Sequence, residues 1–204
     1  DVAGPVTQTG IGRVQLLDVK RPWGRINFNM PHWNFMVATT QRDAPRQLGL
    51  SSGANLALDS ESLQAEAQGN WNFIGDKLRF VAGVYYRDDE IDTADPDTGR
   101  QTLTFEPVDE DYNGAYGQVD WQATDRLKLV FAARYDDSSL YDAQFSPKAA
   151  VLYTLSPDHS LRLTYNEAFQ VPNYSEYFLQ GDVAAPLNLS AIEAGVCTPF
   201  AVNC

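Results

Sequence analysis

Long stretches in which polar and apolar residues alternate constrain this chain most, and they come in pairs joined by short polar turns. The best-formed pair is 61–73 and 78–88, joined by a turn at 74–77. Side chains on a strand point alternately to opposite faces. One face of the second stretch is therefore apolar and the other mixed and charged: Leu78, Phe80, Ala82, Val84 and Tyr86 against Arg79, Val81, Gly83, Tyr85 and Arg87. The pattern predicts long strands with one apolar face, as an outer-membrane β-barrel requires.

Composition narrows the class of protein further. The chain has 204 residues, enough for one domain with a sizeable core, and its 44% hydrophobic content is that of a folded protein. Ten Tyr, ten Phe and four Trp favour strands. The net charge of −12 argues against nucleic acid as a partner, because phosphate binding needs a basic surface. No run approaches the roughly 18 apolar residues of a membrane helix, which leaves a barrel possible.

The alternation recurs along the chain and predicts about eight strands, at residues 13–20, 25–40, 61–73, 78–88, 112–122, 127–136, 145–155 and 161–169. Residues 1–12 and 43–60 are predicted to be loops, because Gly and Pro punctuate them. A turn is expected at 21–24, and a bulge or a sheet edge at Pro31. The first residues are no signal peptide, so we expect either that one has been removed or that the chain begins inside a longer protein.

The predicted connections fall into two classes. Those at 74–77, 123–126 and 156–159 have about four residues, whereas those near 41–60, 89–109 and 137–144 are longer and more polar. In an up-and-down sheet, alternate connections lie at the same end, so this sorting matches the short turns and long loops of an outer-membrane barrel. Aromatic residues near strand ends also suggest membrane girdles: Trp71, Phe73, Tyr85, Tyr86, Trp121, Tyr135 and Tyr153. A soluble β-sandwich or lipocalin-like binding domain stays an alternative, as does a passive porin.

Two adjoining motifs resemble the TonB-dependent outer-membrane receptors. They are Phe145-Ser146-Pro147-Lys148-Ala149-Ala150-Val151-Leu152-Tyr153 and Leu161-Arg162-Leu163-Thr164-Tyr165-Asn166-Glu167-Ala168-Phe169-Gln170-Val171-Pro172-Asn173, with Glu176 near where the family often places a glutamate. The stretch Ala115-Tyr116-Gly117-Gln118-Val119-Asp120-Trp121, followed by Arg134-Tyr135-Asp136, resembles the family's preceding hairpin. The resemblance is specific over 110–177, extends over 61–170, and is absent over 178–204.

The resemblance implies an internal part of a receptor barrel in the outer membrane of a Gram-negative type of cell. The family has an N-terminal plug, a segment for energy coupling and about 22 strands, and we find neither plug nor coupling segment here. We therefore expect barrel strands over 1–170 and an extracellular loop segment over 171–204. Its implied function is energy-coupled uptake of a scarce ligand (an iron chelate, cobalamin or a glycan), driven by the TonB complex through the plug. Its partners would be outer-membrane lipid and that complex, and no catalytic or cofactor-binding residue is implied.

Few other residue patterns suggest a site. Asp92, Asp95, Asp97 and Gly99 resemble half of a calcium loop, but lack its bidentate Glu, and a surface turn explains them better. Asp88-Asp89-Glu90 is expected to be a solvated rim, and His32 and His159 have no ligand-spaced partner. Arg79, Arg87, Lys128, Arg134 and Arg162 should face away from the apolar face and line the lumen, with ligand contacts from loops 41–60, 89–109 and 171–204. Cys197 and Cys204 could form a local disulfide in an oxidising compartment, and two free thiols are the alternative.

Overall fold

A computed structural model describes residues 4–180, and one antiparallel sheet of ten strands occupies most of them. The strands are β1 (Val6–Thr9), β2 (Gly12–Lys20), β3 (Trp23–Asn29), β4 (Trp33–Gly49), β5 (Leu58–Phe73), β6 (Leu78–Asp92), β7 (Val108–Thr124), β8 (Leu127–Ser138), β9 (Gln144–Ser156) and β10 (His159–Asn166), followed by the short helix α1 (Tyr174–Phe178). The predicted all-β antiparallel fold is confirmed. In the described part of the chain, no helix is both long and apolar enough to cross a membrane.

The first strands do not follow the predicted layout. The sheet order is β1-β2-β4-β5-β6-β7-β8-β9-β10, and β3 also pairs with β4. Because Lys20 pairs with Asp43 and Trp23 pairs with Thr40, β2 and β3 lie end to end along β4. The predicted turn at 21–24 is therefore wrong. Pro22 interrupts the strand but its carbonyl still accepts a hydrogen bond from Gln41 N at 2.9 Å, since the fixed proline φ suits an extended chain.

Three further boundaries differ from the predictions. The expected single strand 25–40 is two strands, with a tight turn at Pro31 in place of a bulge. The predicted loop 43–60 is strand up to Gly49, and β1 lies within the predicted loop 1–12. At Pro31 the local effect of proline ends the strand, whereas in 1–12 and 43–49 cross-strand pairing overrides Pro and Gly. The sheet therefore has ten strands where the sequence predicts about eight.

The sorting of the connections is confirmed. One end of the sheet carries the short turns 30–32, 74–77, 125–126 and 157–158. The other end carries the longer loops 50–57, 93–107 and 139–143, together with the two-residue turn 10–11. We call these the short-turn end and the long-loop end. Among residues 4–180 the sheet is open, with β10 at one edge and β1 and β3 at the other.

The cross-strand register assembles the alternating pattern into two continuous faces. One row of paired residues runs Phe35, Ala67, Val84, Ala115, Tyr135 and Phe145, and the adjacent row on the other face runs Met36, Glu66, Tyr85, Gly114, Asp136 and Gln144. Val84, Phe131 and Leu163 on the first face are 58%, 52% and 74% exposed. No described element packs on this apolar face, and we call the opposite one the polar face.

Aromatic residues form two bands on the apolar face. Near the short-turn end lie Trp33, Trp71, Phe80, Trp121 and Tyr153, and near the long-loop end lie Tyr86, Tyr135, Phe145 and Tyr165. The Trp33 and Trp71 rings meet edge to face at 5.1 Å between centroids. Phe80 and Tyr86 are six residues apart on β6, or about 20 Å along the strand. The aromatic residues predicted to form membrane girdles thus lie on the apolar face near its two ends, except Tyr85, which lies on the polar face.

Candidate functional site

The polar face of β6, β7 and β8 carries paired charges. All five cations predicted to face away from the apolar residues do so: Arg79, Arg87, Lys128, Arg134 and Arg162. Arg87 lies 2.9 Å from both Asp89 and Glu110, and Arg134 lies 2.7 Å from Asp136. The charges of these two arginines are neutralised by carboxylates of the same wall. The ion pairs therefore stiffen the wall and leave little charge free for a ligand.

A second set of contacts joins these ion pairs across three strands. The Arg87 guanidinium lies over the Tyr112 ring, 5.0 Å from its centroid. The Tyr112 hydroxyl donates to Asp136 and accepts a hydrogen bond from Arg134 Nη2 at 3.0 Å. Asp136 is fully buried and Glu110 is 2% exposed. Arginine can remain charged beside these carboxylates, which explains how they tolerate burial.

Tyr116 connects this network to β5 by crossing over a glycine. Its hydroxyl donates to Glu66 Oε1 at 2.6 Å and accepts from Gln68 Nε2 at 2.7 Å. A Cβ atom at Gly83, directly opposite Tyr116 on β6, would lie 2.4 Å from the Tyr116 ring. Glycine at position 83 is what allows the ring to lie across the strand.

The segment 167–180, which we call the strap, returns from β10 across the polar face. The Tyr174 hydroxyl donates to Asp89 Oδ2 at 2.6 Å and also to Glu110. Leu179 forms an isolated bridge with Thr104, and the Phe178 ring lies 5.6 Å from that of Phe105. Burial, with the two carboxylates, raises the pKa of Tyr174 above its ordinary range, so its hydroxyl remains a donor. The strap is thereby tied both to the wall and to the loop 93–107.

Cavities lie between the strap and the wall. One of about 410 Å³ is lined by Arg87, by Arg134 and by four tyrosines, which are Tyr85, Tyr112, Tyr116 and Tyr141. Another of about 190 Å³ lies directly under the strap, between Arg87, Glu110 and Tyr174. Phenol groups bind ligands through stacking and hydrogen bonds. The arrangement suits binding.

The loop 93–107 is organised around Asp95. Asp95 Oδ1 accepts from the N–H groups of Asp97 and Thr98, both at 3.0 Å, and Oδ2 accepts from Asn55 Nδ2 at 2.7 Å. Asn55 and these N–H groups lower the pKa of Asp95. Asp92 accepts from Ala94 N and Gln101 Nε2. Asp92 and Asp95, both considered for calcium, thus accept hydrogen bonds from their own loop and, in the case of Asp95, from Asn55. In residues 4–180 no three His, Cys, Asp or Glu side chains are placed to hold a metal.

The other residues singled out from sequence lie apart. The pleat separates Asp89, on the polar face, from Asp88 and Glu90 on the apolar side, so they form no shared cluster. His32 Nδ1 lies 3.1 Å from the Asn70 carbonyl and His159 Nδ1 lies 3.0 Å from Ser156 Oγ, both at the short-turn end. Cys197 and Cys204 lie outside the described residues.

Sequence reasoning missed Tyr174 and Tyr116. Tyr174 follows a stretch with no alternation, so nothing indicated which face its segment covers. Tyr116 had a signal, because it alternates with Ala115 and Gly117 on a predicted strand. Its contacts to β5 depend on Gly83, which is 33 residues away in sequence and could be found only from the register.

Comparison with known proteins gives one family. The model of the family described as TonB dependent receptor-like, beta-barrel matches residues 16–198 of this chain. None of the curated proteins matches it. The matched range includes β3 to β10, the strap and the second half of β2, and therefore all of the paired wall described above. It also includes residues 178–198, so the expectation that the resemblance is absent over 178–204 is wrong for that stretch.

Proposed function

Because the chain belongs to the TonB-dependent receptor β-barrel family, we propose that it forms part of the wall of an outer-membrane receptor for energy-coupled uptake of a scarce ligand. The family is one of receptors and transporters, not of enzymes. In this proposal the apolar face contacts outer-membrane lipid and the polar face lines the lumen. The long-loop end is extracellular and the short-turn end is periplasmic.

The distribution of side chains between the two faces carries this proposal. Large apolar side chains are exposed on one face between two aromatic bands, whereas the ion pairs of Arg87 and Arg134 lie on the other. Lipid-facing residues of a membrane barrel alternate with polar lumen residues in this way. The strap lies over the polar face, which supports assigning that face to the inside.

The same observation weighs against the soluble alternative. A lipocalin-like barrel keeps its apolar face inside, around a core or a ligand. Here the strap covers the face with the ion pairs, whereas no described element covers the apolar face. A passive porin shares the polar interior, so the distinction between porin and receptor rests on the family and on a plug elsewhere in the protein.

Ligand contacts belong at the long-loop end in this proposal. The loops 50–57 and 93–107 and the strap meet there. The tyrosine-lined cavity of about 410 Å³ is bounded by Val171 of the strap and by Tyr141 of the loop 139–143. An iron chelate, cobalamin and a glycan are the ligand classes that we propose. Release into the periplasm would require the plug, and TonB acting on it. We propose barrel strands over 1–170 and an extracellular loop segment over 171–204.

Uptake by cells that express the receptor containing this chain tests the proposal. We expect the detergent-extracted protein to migrate faster in gels before boiling than after, as a folded membrane barrel does. Accumulation of radiolabelled iron chelate, cobalamin or glycan should depend on the receptor and be lost in an otherwise identical strain that lacks TonB. A protein that is soluble without detergent would contradict the membrane assignment, and uptake that continues without TonB would identify a passive pore.

A further inference from the structure

Two arginines face each other on the polar face near the long-loop end. Arg21 lies opposite the Gln41–Arg42 part of β4, because Lys20 pairs with Asp43 and Trp23 with Thr40. Arg21 and Arg42 line the same two cavities, of about 450 and 770 Å³. Like charges facing each other across a strand pair destabilise a sheet. This arrangement therefore requires an explanation.

Among residues 4–180, no carboxylate neutralises this arginine pair. Arg87 and Arg134 each lie within 3 Å of a carboxylate. In the described chain, by contrast, no carboxylate oxygen lies within 4.0 Å of Arg21 or Arg42. Arg42 donates to the side-chain oxygen of Gln47, and its buried Nε has no acceptor. Three carboxylates line the cavities without pairing with either arginine: Asp89 and Glu61 in the smaller one, and Glu176 in the larger. Asp89 already pairs with Arg87 and Tyr174.

An aromatic ring and hydroxyl groups surround the pair. Trp23 lies on the polar face beside Thr40 and is 76% exposed, whereas the chain's three other tryptophans lie on the apolar face. Thr40, Ser60 and Ser62 line the same cavity. A large ring exposed on a polar wall is free to stack on a ligand, and hydroxyls complete the hydrogen bonding of an oxyanion.

We propose that Arg21 and Arg42 form an anion subsite that binds a carboxylate or phosphate group of a small organic ligand, whose body lies against Trp23. Guanidinium groups bind both oxyanions with paired, charge-assisted hydrogen bonds, and a bound anion removes the repulsion between the two arginines. The inference rests on the proposed function only in that the ligand reaches the polar face from the long-loop end. It narrows the ligand to an anionic one.

The test measures binding of citrate and, separately, of inorganic pyrophosphate by calorimetry to the purified full-length receptor in detergent. Saturable binding of either probe supports the subsite, and the probe that binds more tightly identifies the group as carboxylate or phosphate. Arg42→Gln and Arg21→Gln should each weaken binding by at least about ten-fold, because each removes a charge-assisted pair. Arg126→Gln, on an exposed short turn, is the matched control and should leave binding unchanged.

A stability measurement guards against misfolded variants. Arg42→Gln removes a repulsion, so its urea unfolding midpoint should be equal to or higher than that of the unmodified receptor. The better-binding probe should raise the midpoint of the unmodified receptor and not that of the variant. Absence of saturable binding, or binding by the two arginine variants that is as tight as that of the unmodified receptor, would overturn the subsite. Binding to purified protein does not depend on TonB, so a receptor that binds anions and fails to transport contradicts only the proposed function.

Discussion

Single residues on the polar face show how a membrane wall accommodates charge. Asp136 and Glu110 are almost completely buried, and each is bound by an arginine and by a hydroxyl group. Removing one partner of a buried ion pair is costly, because the other charge stays buried without a partner. The two carboxylates should therefore matter more to stability than the exposed ones beside them.

Asp136→Asn should lower the free energy of unfolding by about 2 kcal/mol, because charge-assisted hydrogen bonds from Tyr112 and Arg134 are lost. Urea unfolding of the receptor in detergent measures this change in the free energy of unfolding. The control is Asp137→Asn on the opposite face, where the side chain is exposed and the change should be within about 0.5 kcal/mol. Equal effects of the two substitutions would contradict the network described here.

Tyr174→Phe removes the hydroxyl that ties the strap to Asp89 and Glu110. Amide hydrogen exchange in 167–180 should become faster, whereas exchange in β6 and β7 should not change, because the strand ladders stay intact. Tyr177→Phe is the matched control, since Tyr177 is 52% exposed and the change again removes only a hydroxyl. If amide hydrogen exchange in the strap is unchanged in the Tyr174 variant, the ring contacts alone are sufficient to hold the strap.

At the scale of elements, sequence predicted what depends on alternation and missed what depends on pairing partners. The strands around 61–88 and 112–165 were found because each keeps its period of two. The chain continues straight at Pro22 because β4 supplies a partner, and no local signal indicates this. The contacts of the strap and the Arg21–Arg42 pair were not predicted for the same reason, since both depend on residues far apart in sequence.

The loop 93–107 should lose order at acid pH. The pKa of Asp95 is lowered in the folded protein, so its contribution is complete above the unfolded value of about 3.9 and disappears as pH falls through the folded value. Hydrogen exchange in this loop, compared at pH 6 and pH 3 after correction for intrinsic rates, measures the change. Asp95→Asn should show the same loosening at pH 6. A loop equally protected at both pH values would contradict the role given to Asp95.

At the scale of the whole molecule, the two faces must meet different solvents. Val84→Arg places a charge on the apolar face between the aromatic bands, which costs about 2–4 kcal/mol at the middle of a bilayer. Val81→Arg, three residues earlier on β6, places the same charge on the polar face and should be tolerated. The amount of folded receptor in the outer membrane, read from heat-modifiable migration, measures both. Equal loss in the two variants would indicate that neither face contacts lipid.

Nitroxide accessibility along β6 tests the central claim most directly. Single cysteines at Val81, Ala82, Val84 and Tyr85, with Cys197 and Cys204 replaced by Ser, are labelled in the full receptor and reconstituted in lipid vesicles. Labels at 82 and 84 should collide often with oxygen, which concentrates in lipid, and rarely with a water-soluble nickel chelate. Labels at 81 and 85 should be less accessible to oxygen. Similar exposure of all four labels to the nickel reagent, or the opposite phase of alternation, would contradict a lipid-facing apolar surface.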